Sequence, residues 1–80
     1  MNLKPNKYSD EQMKQAFDLV KDKEHWKNPI KVTLPFTTSE ETLDIIFEAV
    51  VYYTGSMAEI YKVKKGYRVE AIGYFMAVGA

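Results

Sequence analysis

A chain of 80 residues with no cysteine, one histidine and 11 basic side chains matched by 11 acidic ones has room for a single domain, and offers neither disulfides nor the common zinc sites. Zero net charge removes the long-range field by which nucleic-acid and anionic-membrane binders draw in their ligands. A domain of this size buries only about 60% of its unfolded surface, so association between copies is the stabilising device left to it.

Residues 1–8 are polar, contain Pro5 and read as a flexible N-terminal arm. Ser9 then opens a helix, with Gln12 completing a capping box and Tyr8 placed to pack on Met13 as a hydrophobic staple. Met13, Ala16, Phe17 and Val20 form a narrow apolar stripe flanked by Leu19 and Trp26, so this helix is expected to pack on one side only. Pro29 disfavours helical backbone at Asn28, which sets the expected end near Trp26.

Ile30 to Phe36 alternates between apolar Ile30, Val32, Leu34 and Phe36 and polar Lys31 and Thr33, the pattern of a half-buried strand. Pro35 places that strand at a sheet edge or close to its own end. Thr38 to Gly55 is the clearest helix. Thr38 and Glu41 fit a capping box, and Gly55 fits a left-handed stop. Leu43, Ile46, Phe47, Val50 and Val51 make one apolar face and Ile45, Ala49, Tyr52 and Tyr53 a second, so the helix should be covered on more than one side.

Met57 to Val63 and Tyr67 to Val78 read as a hairpin. Lys64, Lys65 and Gly66 suit a three-residue turn with the glycine left-handed, which pairs Val63 with Tyr67, Tyr61 with Val69 and Glu59 with Ala71. The last strand outruns its partner, and Ile30 to Phe36 is expected beside its far end, Tyr74 to Val78. The predicted fold is therefore α+β, in the order α-β-α-β-β, with a three-stranded sheet of order 1-3-2 and the final strand central. Both helices cover the face carrying Val69, Ala71, Gly73, Phe75 and Ala77. Glu59 falls on that face in this register, which points to a sheet-edge position or a misplaced bulge. The opposite face is polar at Arg68 and Glu70 and apolar at Ile72, Tyr74, Met76 and Val78. A contiguous apolar patch rimmed by charge marks an association surface. Together with Tyr52 and Tyr53, those four residues are the candidate interface with further copies of the chain.

Signals for catalysis are poor. There is no thiol, His25 sits beside Trp26 where a helix C-terminus favours a cation, and Ser9, Ser39 and Ser56 are accounted for as caps or turn residues. Glu40, Asp44 and Glu48 recur at i, i+4 and i+8, which reads as a solvated acidic face; forcing two of them together would be needed for acid/base work. No enzyme, metal or cofactor is expected. The hairpin is the candidate ligand site, with Lys62, Lys64, Lys65 and Arg68 interleaved with Tyr61 and Tyr67, because cations beside aromatic planes suit phosphates and bases. These features predict a small, non-enzymatic homo-oligomer that captures an anionic small molecule, such as a nucleotide, between subunits. The alternative is a phage or mobile-element type of interaction or inhibitor module that docks on a host protein through the apolar sheet face; nucleic-acid binding by the hairpin ranks third. With no signal-peptide core and no apolar run of spanning length, a cytoplasmic location is expected and the membrane is not a partner.

Overall fold

A computed structural model of the chain describes residues 7–21, 29–55 and 57–71. Its elements are α1 (Asp10–Asp18), β1 (Ile30–Leu34), α2 (Glu40–Thr54), β2 (Ala58–Val63) and β3 (Gly66–Ala71). The sheet has the order β1-β3-β2 with β3 antiparallel to both neighbours, which is the predicted α+β topology with the last strand central.

The start of α1 forms as its sequence dictates. Ser9 Oγ accepts from Gln12 N–H at 3.1 Å while the Gln12 side chain accepts from Ser9 N–H at 3.0 Å. Met13, Ala16, Phe17 and Val20 are buried, and Tyr8 packs against the cluster they form. The helix ends at Asp18, earlier than predicted. Its last turn tightens through Leu19 N–H to Ala16 O and Val20 N–H to Phe17 O, and an acidic residue with no basic one in that turn opposes the helix dipole. Trp26 and His25 lie outside the described residues.

The cap of α2 is one residue later than predicted. Thr38 N–H is committed to Pro35 O at 3.0 Å in the preceding turn, and Ser39 Oγ takes Thr42 N–H at 3.0 Å in place of the expected Thr38 and Glu41 pair. Gly55 does adopt the left-handed stop at φ 78°, with its N–H on Val51 O. Ile46, Ala49 and Val50 are buried, whereas Tyr52 and Tyr53 are exposed. Tyr8 at the start of α1 meets Asp44 near the start of α2, and Phe17 near the end of α1 stacks on Tyr53 near the end of α2. The two helices therefore lie side by side and point the same way.

The hairpin differs from prediction by one residue. Val63 faces Gly66, Ile60 faces Val69, and Glu59 faces Glu70, so the turn is Lys64 and Lys65 alone. A slip of one residue exchanges the faces of a strand. Here it turns Ala58 and Ile60 toward the core and Glu59 outward, since burying a carboxylate costs far more than leaving it in water. The placement of Glu59 is thereby explained. Gly66 is not left-handed. It is needed for space, because a Cβ there would lie 1.9 Å from Leu34 O.

β1 pairs Ile30 with Ala71 through Leu34 with Tyr67, alongside the same stretch of β3 that β2 uses, and not beside Tyr74 to Val78 as expected. Tyr74 to Val78 lies outside the described residues, as do Gly73 and Ile72. The core face of the sheet holds the rows Ile30, Ala71, Ala58 and Val32, Val69, Ile60, and α2 packs over it. Met13, Ile46, Val50 and Val69 are completely buried, each contributing about 1.5–3 kcal/mol by burial. Among the described residues no helix is long and apolar enough to cross a membrane.

Candidate functional site

The register divides the predicted ligand residues. Tyr61 and Arg68 face each other on the outer side of the sheet, while Lys62 and Tyr67 face each other on the side that carries the core. Tyr61 Oη donates to Glu70 Oε2 at 3.0 Å, Arg68 Nε donates to the same oxygen at 3.0 Å, and Arg68 Nη1 donates to Thr33 Oγ1 at 3.1 Å. The Arg68 guanidinium, with help from Tyr61, holds the Glu70 carboxyl below the usual range, and donation to that carboxylate raises the Tyr61 phenol. Arg68 is therefore matched by Glu70 and Tyr61 is tied to it. Tyr67 meets Phe36 edge-on at 5.4 Å.

Lys62, Lys64 and Lys65 remain together at the tip, all exposed. None of them forms an ion pair among the described residues. Ammonium groups so placed can hold phosphate or carboxylate oxygens as mobile point charges, without the planar fork of an arginine.

Of the predicted interface, Ile72, Tyr74, Met76 and Val78 fall outside the described residues, and Tyr52 and Tyr53 lie at the end of α2. Tyr52 is 54% exposed and Tyr53 42%. Phe17 stacks on Tyr53 at 4.8 Å with the rings 26° apart, and Tyr52 meets Tyr53 edge-on at 5.0 Å and 83°. Leu19, two residues after Phe17, is also 54% exposed. Two tyrosines thus stand in water while their rings are held by neighbours. The stacking of Phe17 on Tyr53 carries no local sequence signal, since it depends on how α1 lies along α2.

Asp44, singled out only as part of an acidic face, has a structural task. It accepts from Tyr8 Oη and from Lys7 Nζ, the latter at 3.1 Å, and so fastens the start of α1 to α2. The Tyr8 and Lys7 hydrogen bonds hold its carboxyl below the ordinary value of 3.8, and Asp44 in turn raises both Tyr8 and Lys7. A carboxyl so depressed is a poor general acid. Among the described residues no three His, Asp or Glu side chains gather into a potential metal site. A concavity of about 360 Å³ lies between α1 and α2, lined by Gln12, Gln15, Leu19 and Ile45 among others, and one of about 300 Å³ lies near Pro29, Met57 and Glu70; neither includes the tip lysines.

No protein-family model matches the chain, and no curated protein and no solved structure shows significant similarity to it.

Proposed function

We propose that this chain is a non-enzymatic binding module that associates with copies of itself and holds an anionic group, such as the phosphates of a nucleotide, on its lysine hairpin. The observation that carries the reading is the exposed Tyr52 and Tyr53 pair, fixed in place by Phe17. Tyrosines whose rotamers are already held lose little entropy on docking and bury a large area, which is why such residues concentrate at interfaces. Lys62, Lys64 and Lys65, unpaired among the described residues, support the second half of the reading. A cytoplasmic location belongs to the same proposal.

Thermal unfolding tests both halves. Binding of further copies to the native state makes Tm rise with protein concentration, so a Tm that stays constant over about a hundredfold range would remove the association. A nucleotide present at about 100 times its Kd should stabilise the fold by about 2.7 kcal/mol. Stabilisation lost on Lys64→Glu with Lys65→Glu supports the hairpin as the site; no stabilisation by any nucleotide or by pyrophosphate removes it.

A further inference from the structure

We infer that the association is head-to-tail, with the Lys64 and Lys65 turn of one copy seated on the Tyr52 and Tyr53 end of the next. This rests on the self-association proposed above and specifies its geometry. β1 runs toward the hairpin tip, where Leu34 lies opposite Tyr67; α2 begins at that end and returns to the other, where β2 starts. The 15 residues of α2, at about 1.5 Å of rise each, separate its two ends by about 22 Å. A lysine side chain cannot span that distance, so the turn of a chain does not reach its own tyrosines.

The two ends are complementary in charge. Because α1 and α2 are parallel, their C-termini lie together, each with a partial negative charge and neither with a basic residue in its last turn. Lys21, just past α1, is already paired with Asp18 at 3.6 Å. The faces of tyrosine rings add their own attraction for a cation. The turn offers two exposed ammonium groups without partners among the described residues. Joining two tyrosine ends would set like ends of helix dipoles against each other, and joining two turns would set lysine against lysine. Turn against tyrosine end brings opposite charges together. Such a contact uses different surfaces on the two partners, so it extends into rings or open chains. An anion bound on the lysines would compete with it.

Complementation between two variants tests the geometry. Lys64→Glu with Lys65→Glu removes the turn and keeps the tyrosine end; Tyr52→Ser with Tyr53→Ser does the reverse. Each variant alone, its fold checked by circular dichroism, is expected to self-associate at least about tenfold more weakly than the parent chain. An equimolar mixture is expected to form one-to-one pairs and nothing larger, because one intact turn meets one intact tyrosine end. Lys64→Arg with Lys65→Arg should keep the parental behaviour. A mixture that stays monomeric, or either variant assembling as the parent does, overturns the head-to-tail contact while leaving self-association standing. A parent chain that is monomeric at every concentration overturns both.

Discussion

Ile60 lies directly opposite Val69 on the core side of the sheet, and this pair decides which face of the hairpin is dry. Shifting the strand by one residue would put Glu59 where Ile60 packs. Ile60→Asn is therefore expected to destabilise the fold by about 2 kcal/mol, since a partly buried amide there finds no designed partner. Glu59→Gln should change stability by no more than about 0.5 kcal/mol. Urea unfolding of the two variants checks the register, and the reverse ranking would contradict it.

Gly66 starts β3 against the carbonyl of Leu34, where an added Cβ would sit 1.9 Å from the oxygen. The obstacle is backbone and cannot swing aside. Gly66→Ala should cost about 1–3 kcal/mol through displacement of β1 from β3. A variant as stable as the parent would show that the end of β1 is free to move.

Ser39 and Thr38 are adjacent hydroxyl residues with different duties. Ser39 Oγ caps α2, and the backbone of Thr38 closes the turn that begins at Pro35. Ser39→Ala should cost about 1 kcal/mol and Thr38→Ala much less, as read from thermal or urea melts. Equal effects would place the cap elsewhere.

Much of the fold was legible because local signals agreed with one another. Ser9 and Gln12 formed their box, Gly55 stopped α2, and the alternation of Ile30, Val32 and Leu34 turned out to mark the inner face of an edge strand. The order of the strands followed from the long apolar character of the last one. What was misread depended on choices between near-equal local options. Thr38 and Ser39 both suit a cap, and the decision came from the Pro35 carbonyl. A turn of Lys64 and Lys65, with or without Gly66, satisfies turn preferences, and the decision came from burying Ile60 in preference to Glu59. The candidate site suffered most from that slip, which sent Tyr61 and Arg68 to one face and Tyr67 to the other. Tyr52 and Tyr53 stand out as candidates from their helical spacing, whereas the support Phe17 gives them depends on the parallel alignment of two helices.

The fastening of α1 to α2 by Asp44 should respond to pH. Its carboxyl titrates below the ordinary 3.8 because Tyr8 and Lys7 donate to it, so its contribution is present above that pH and is lost as pH falls through the lowered value. Tyr8 titrates above its ordinary 10.0 because it donates to Asp44, so its contribution is present below pH 10 and is lost as pH rises through the raised value. Asp44→Asn is expected to flatten the acid side of a stability profile, and Tyr8→Phe the alkaline side. Glu70 adds to the acid limb in the same sense, so Asp44→Asn should reduce that limb without abolishing it. Profiles identical to the parent would show that the contact does not form in solution.

The proposed assembly requires a particle larger than one chain of 9.3 kDa. Light scattering across a chromatographic peak, loaded at rising concentration, measures this directly. The expected result is a molar mass that climbs above 9.3 kDa with concentration, falls with added salt as screening weakens the lysine contact, and stays near the monomer value for Tyr52→Ser with Tyr53→Ser. A parent chain that holds the monomer mass at every loading and every salt concentration would contradict the account.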